Sequence, residues 1–236
     1  TYNSNRQIWA IADIEEEDVF EPDICVIKTL ICKVEAEKKE WDAFLERKKL
    51  FAKFKKEMEN KPIHQIPGED LIMYMDKGFF DQMDSNLKWK YDVEQPPRLA
   101  CIIDDCLGTD VMAKRTAGLT NLCIRHRHIA DGLGLSLFML VQSYVCHGGV
   151  PRPIRENCTN LLLFRINDEN QIKKVKEECD LPITDEEWTD MCDHCHNIPF
   201  NFLFIDFNPK CNTKRFRSGF DEYIVPPSLV CDCKSH

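Results

Sequence analysis

Leu99-Ala100-Cys101-Ile102-Ile103-Asp104-Asp105 is the stretch on which the reading of the fold turns. Five apolar residues in a row, with no polar alternation, describe a strand covered on both faces. That is the habit of parallel sheets packed between helices. Three more runs of the same kind follow: Leu135 to Val141 (LSLFMLV), Asn160 to Ile166 (NLLLFRI) and Phe200 to Phe207 (FNFLFIDF). The intervals are about 30, 18 and 33 residues, and the first and last can each hold a crossover helix. The expected class is α/β, with a mostly parallel sheet between helices.

Upstream of this core the rhythm changes. Residues 33–60 are dense in Lys and Glu, with Trp41, Phe44, Leu45, Leu50, Phe51, Phe54 and Met58 recurring at helical steps. This predicts an amphipathic helix with a solvated charged face, either a packing helix or a partner-binding one. Pro62, Pro67 and Gly68 end it, and residues 69–95 read as one or two short helices. Asp23 to Leu30 (DICVIKTL) suits a short strand or the start of a helix. The expected organisation is a charged helical region over 1–97, a core over 98–225 and a tail over 226–236.

Composition narrows the classes. The chain has 236 residues, 43% hydrophobic and 30% charged, as in an ordinary folded protein. A net charge of -9 argues against a broadly basic, polyanion-binding surface but leaves room for a local basic patch. No apolar run approaches the ~18 residues of a membrane span, so no membrane insertion is expected. The start at Thr1, without Met or a signal-peptide pattern, suggests a fragment. The 13 cysteines are odd in number, and Cys101, Cys123 and Cys146 sit in apolar runs. They suit reduced thiols in an intracellular compartment.

Ligands of open α/β sheets bind beyond the carboxyl ends of the strands, so the residues that close each run matter most. Asp104-Asp105 after an apolar strand is a Walker B pattern. One carboxylate can hold Mg²⁺, and its neighbour can polarise an attacking water. A plain strand end entering a turn is the alternative. Gln142, at the end of the second run, can set a neutral amide beside a γ-phosphate or can simply open a turn. Arg125-His126-Arg127-His128 can meet phosphate or complement a helix end. Arg155, ahead of the third run, suits an arginine finger acting across a subunit boundary or an internal ion pair. Cys192, His194, Cys195 and His196 contain half of a zinc motif, but Cys211, Cys231 and Cys233 make a poor second half, so zinc is not favoured. A phosphate cradle of the form Gly-x-x-x-x-Gly-Lys-Ser/Thr is missing, since the sequence has no Gly-Lys pair among its nine glycines.

Five elements in this order resemble the A32-like DNA-packaging ATPases of large DNA viruses, a branch of the FtsK–HerA superfamily of P-loop NTPases. They are Leu99 to Asp105; Arg127-His128 before Gly134-Leu135-Ser136; Val141-Gln142-Ser143; Ile154-Arg155-Glu156-Asn157 with Leu161 to Arg165; and Phe202 to Asp206 with Phe216 to Phe220. The likeness covers residues 98–225, and 1–97 match only as a helical insert. It implies a RecA/FtsK–HerA-like P-loop NTPase core whose first strand and P-loop precede Thr1. It implies an ATPase that uses ATP and Mg²⁺ to drive double-stranded DNA into a capsid. The subunit would act in a homo-oligomeric ring with viral capsid or portal components, in the infected host cell cytoplasm (virus factory) or the virion. By position, Asp104 would hold Mg²⁺, Asp105 would activate water, Gln142 would sense the nucleotide, and Arg155 or else Arg127 would be the finger. A fragment lacking the P-loop would be inactive alone. The other classes in view are a non-catalytic assembly protein with a degenerate ATPase fold and a zinc-stabilised nucleic-acid-binding module.

Overall fold

A computed structural model describes residues 14–23, 25–111, 118–145 and 150–230, except the side chain of Cys179. In chain order its main elements are α1 (Cys25–Asn60), α2 (Gly68–Asp76), β1 (Ala100–Asp104), α3 (Gly118–Arg125), β2 (Ser136–Leu140), α4 (Arg152–Glu156), β3 (Asn160–Phe164), α5 (Glu169–Cys179), α6 (Asp185–His196), β4 (Phe202–Asp206), β5 (Phe216–Ser218), β6 (Glu222–Ile224) and α7 (Pro227–Val230). The class is mixed α/β, as the sequence predicts. The chain divides into two compact units, with boundaries inside β1 after Cys101 and inside β2 after Phe138. Residues 125–138 group with the helical unit.

The helical unit is built on α1, whose 36 residues bury Ile27, Val34, Trp41, Phe44, Phe51 and Phe54. Steps of seven and three keep these residues on one stripe while Lys and Glu fill the rest. Residues 25–30 of the DICVIKTL segment form the first turns of this helix. Trp89 packs edge-on to Trp41 at 5.0 Å and lies 5.0 Å from Phe44. Further along, Phe51, Phe54, Ile66, Tyr74 and Phe79 form a second buried cluster. Its one polar tip, the Tyr74 hydroxyl, donates to Glu57 Oε2 at 2.8 Å, so the phenol is buried without being stranded. The α2 helix stops at Gly78, whose φ of 66° is the left-handed conformation of a helix C-terminus. The Phe79 amide then turns back to the Tyr74 carbonyl at 3.1 Å.

The strand unit holds a four-stranded sheet ordered β3-β4-β5-β6. Every neighbouring pair in it is antiparallel, for example Leu162 opposite Phe204, Leu203 opposite Ser218 and Phe216 opposite Ile224. A mostly parallel sheet is thus not what forms: among the described residues the parallel arrangement is confined to β1 and β2, a separate two-stranded sheet. The reason lies in the connection from β3 to β4. It carries two helices, α5 and α6, and each reverses the chain, so β4 returns antiparallel to β3. Burial on both faces fails too. Leu163, Leu203, Ile205 and Phe216 face the core with Val175, Trp188, Met191 and Leu229. Leu162 and Phe164, on the alternate face of β3, are exposed.

Local signals fix the helices of this unit. Asp168 caps α5 by accepting from the Asn170 amide, and Asp180 ends that helix at a φ of 46°. Thr184 and Glu187 form a reciprocal capping box at the start of α6. The segment read as a tail is tied to the unit by Leu229, which is buried in its core. Among the described residues no helix is long and apolar enough to cross a membrane.

Candidate functional site

The β1 and β2 strands run side by side, and residues at their carboxyl ends meet. The Asp105 amide donates to the Leu140 carbonyl at 3.4 Å, continuing the pairing one residue past β1. Asp105 takes a φ of 48°. A left-handed backbone is uncommon for a residue with a side chain, and Asp is one of the few that adopts it readily. The turn carries the Asp105 carboxylate to Gln142, whose Nε2 donates to Oδ1 at 3.2 Å. Asp104 ends β1 half-buried, while Asp105 and Gln142 are exposed. Cys106 braces the turn from beneath: it is buried, and its thiol donates to the Asp104 carbonyl at 3.2 Å. Thr109 closes the loop through a 2.7 Å bond from its hydroxyl to the Cys106 carbonyl. Burial raises the Cys106 thiol pKa, aided by Asp104 and Asp105, so it stays protonated as a structural donor.

The segment after Gln142 is anchored to α5. Gln171 Oε1 accepts from the Ser143 hydroxyl at 2.9 Å and from the Tyr144 amide at 3.0 Å. The Gln171 amide nitrogen leans on Asp168 Oδ2 at 3.4 Å, which orients the side chain. Beyond it, the Arg155 guanidinium lies over the Tyr144 ring, 5.2 Å from its centroid. Arg155 grips Glu178 with two parallel bonds, of 2.8 Å and 3.0 Å, and also donates to the Val150 carbonyl. Its side chain is only 12% exposed. The internal ion pair is therefore the arrangement Arg155 takes within this chain. Tyr144, Gln171 and Glu178 went unnoticed in the sequence, because an isolated Gln or Glu on a charged helix carries no local signature.

Arg127 lies elsewhere, in a one-turn 3-10 helix over His126–His128 within the helical unit. It is exposed, and no hydrogen bond or ion pair to a described residue holds it. Cys192 and Cys195 sit one turn apart on the face of α6 that enters the core. Burial pushes the Cys192 thiol up to about 12 and also raises Cys195, so both are protonated thiols packed in the core. His196 Nε2 contacts the Leu163 carbonyl at 2.9 Å, and His194 stands 3.6 Å from Glu222. Cys231 and Cys233 lie outside the described residues.

Asp104 and Asp105 offer oxygen donors only, which suits a hard cation such as Mg²⁺. Among the described residues no group of three or more His, Cys, Asp or Glu side chains converges as a metal cage. Mg²⁺ does not require one, since it commonly takes one or two carboxylates and fills its octahedron with water and phosphate oxygens. The chain matches no family model, no curated protein and no solved structure.

Proposed function

We propose that this chain is the catalytic portion of an ATP-driven subunit that moves double-stranded DNA into a viral capsid, working as a homo-oligomeric ring with capsid or portal components. A RecA/FtsK–HerA-like P-loop NTPase core is the finer fold that this reading assigns. The observation that supports it is the pairing of β1 with β2, which sets the Gln142 amide on the Asp105 carboxylate at 3.2 Å. Two strand-end acids with a neutral amide beside them are what hydrolysis of a nucleoside triphosphate needs. One acid holds the cation, the other orients water, and the amide reports on the outer phosphate.

In this assignment Asp104 holds Mg²⁺ and Asp105 holds and polarises the water, with Gln142 limiting its orientation. Mg²⁺, when bound, neutralises charge on the phosphate oxygens. The reading requires a glycine-rich phosphate cradle supplied by sequence preceding Thr1. Of the two finger candidates, Arg155 would have to leave Glu178 and Tyr144 to act in a neighbouring subunit, whereas Arg127 has no partner among the described residues to give up. Arg127 is therefore the first choice.

The test is Asp105→Asn in protein that includes the upstream sequence. Loss of a positioned base slows turnover by roughly 10²–10⁴-fold, and nucleotide binding should persist. Turnover at the wild-type rate would remove Asp105 from the chemistry. Arg127→Ala should lose hydrolysis in a homogeneous ring, and activity should return when it is mixed with Asp105→Asn subunits, since each then supplies what the other lacks.

A further inference from the structure

The helical unit carries a cluster of cations that the nucleotide site does not use. Arg98 lies two residues before β1, and its neighbour Leu99 accepts from the Ser136 amide at 2.9 Å. One residue before Ser136, the Leu135 amide donates to the His126 carbonyl at 3.0 Å. Three segments, around 98–99, 125–128 and 134–136, are thus stitched together by backbone bonds. A methyl group on Gly134 would lie 3.4 Å from the His126 carbonyl oxygen and 3.5 Å from the Arg127 Cα, so the approach of the third segment to the second depends on that glycine. Ala130, Asp131, Gly132 and Gly134 all take positive φ, folding 129–134 into a tight turn that presents Arg125, Arg127 and His128 outward.

Segments 95–99 and 125–136 hold three arginines and two histidines against one acid, Asp131, in a chain of net charge -9. Arg98, Arg125, Arg127 and His128 are exposed, and no described acid pairs with any of them. Like charges gathered with no described acid beside Arg98, Arg125 or His128 repel, and an anionic partner would relieve that repulsion.

We infer that Arg98 and Arg125, flanked by His128, form a contact surface for the phosphodiester backbone of double-stranded DNA. The choice of DNA as the duplex rests on the motor reading. The chemistry of the surface excludes two other polyanions. Single strands are gripped mainly by stacking on large aromatic side chains, and neither segment contains Phe, Tyr or Trp. Anionic membranes are held by apolar insertion beside the cations, yet Leu135 is buried and Leu99, Ile129 and Leu133 are covered in part. Phosphate contacts alone position a duplex without reading its sequence, as a translocating subunit requires.

The experiment measures binding of the 236-residue chain to a fluorescent duplex of arbitrary sequence by anisotropy across a salt series. Wild type should bind at low salt with a steep salt dependence. Arg98→Ala/Arg125→Ala should weaken binding about tenfold or more and flatten the log–log salt slope by about two, one for each phosphate no longer neutralised. The charge-matched control Lys49→Ala/Lys56→Ala, on the exposed side of α1, should leave both unchanged. Circular dichroism should show all variants folded, since every substituted side chain is exposed. No binding by wild type, equal loss in the control, or an unchanged slope in Arg98→Ala/Arg125→Ala overturns the assignment. Tighter binding to a single-stranded oligonucleotide or to phosphatidylserine vesicles than to the duplex also overturns it. The outcome is separable from the motor reading, because Asp105→Asn tests hydrolysis and leaves this surface intact.

Discussion

The β1–β2 pair is parallel and the β3–β4 pair antiparallel, although each joins two five-residue apolar strands through a long connector. The described part of the first connector holds one helix, α3, with a short 3-10 turn, and the second holds two, α5 and α6. One helix returns the chain to the starting end of the sheet, while two leave it at the far end. The consequence is chemical. Parallel strands end at the same edge, so Asp105 and Gln142 can meet. Antiparallel neighbours end at opposite edges, and β3 to β6 instead build the core on which α5 and α6 rest. One sheet is therefore poor in packing and carries the candidate chemistry, and the other is rich in packing and carries stability.

The sharpest way to break that division is to damage each side in turn. Phe216 is fully buried in the antiparallel sheet, among Leu203, Ile205 and Met191. Phe216→Ala should cost about 3–5 kcal/mol through lost burial and the cavity left behind, read as a shift in the denaturant midpoint. Gln142→Ala, at an exposed position, should move stability by no more than ~0.5 kcal/mol. It should nevertheless depress hydrolysis in protein that carries the upstream sequence. Equal destabilisation by the two variants would end the division of labour.

Arg155 sharpens the same comparison at intermediate size. Arg155→Ala strands the Glu178 carboxylate, which is 20% exposed, and removes the guanidinium from Tyr144. Breaking one half of a covered ion pair should cost about 2–3 kcal/mol. Arg127→Ala, at an exposed side chain with no described partner, should cost less than ~0.5 kcal/mol. The two finger candidates are thus separable before any ATPase assay: a residue whose loss unfolds the subunit differs in role from one whose loss only stops turnover.

Thiol chemistry offers a smaller probe of the packed side. Cys32 is exposed on α1, whereas Cys192 and Cys195 are buried with raised thiol pKa values. Alkylation at about pH 8 should modify Cys32 rapidly and Cys192 and Cys195 only on unfolding, as mass spectrometry of peptides would show. Rapid native-state labelling of Cys192 would put the α6 face outside the core.

Much of this was legible in the residues. The stripe through Trp41, Phe44, Phe51 and Phe54 marked α1, because helical periodicity survives in a charged sequence. Asp104, Asp105 and Gln142 were legible as strand-end polar groups, and β1 and β2 bring Asp105 and Gln142 together. The direction of β4 was not, since NLLLF and FLFID look the same in a parallel or an antiparallel sheet. Nor was the exposed face of β3, because an all-apolar run hides which alternate residues face water. The partner of Arg155 was invisible for a related reason: Glu178 is 23 residues away on a helix whose other acids face solvent.

The smallest expected effect concerns how the strand unit secures its last described helix. The Glu187 carboxylate accepts from the Thr184 amide at 2.9 Å, the Ser228 amide at 2.8 Å and the Ser228 hydroxyl at 2.8 Å, joining the start of α6 to α7. The backbone amides of Thr184 and then Ser228 hold its pKa down to about 2, against an ordinary 4.5. The sign follows from the direction. A depressed folded pKa means that the unfolded chain binds the proton more tightly, so the stabilisation is complete above about 4.5 and is lost as pH falls towards about 2. Denaturant midpoints of wild type and Glu187→Gln should differ most near neutral pH. They should converge between about 4.5 and about 2 and coincide at the acid end, because protonated Glu and Gln are then nearly equivalent acceptors. A gap that stays constant across that range would assign the effect to the shape of the side chain, and α7 would then be held by Leu229 in the core with no help from charge.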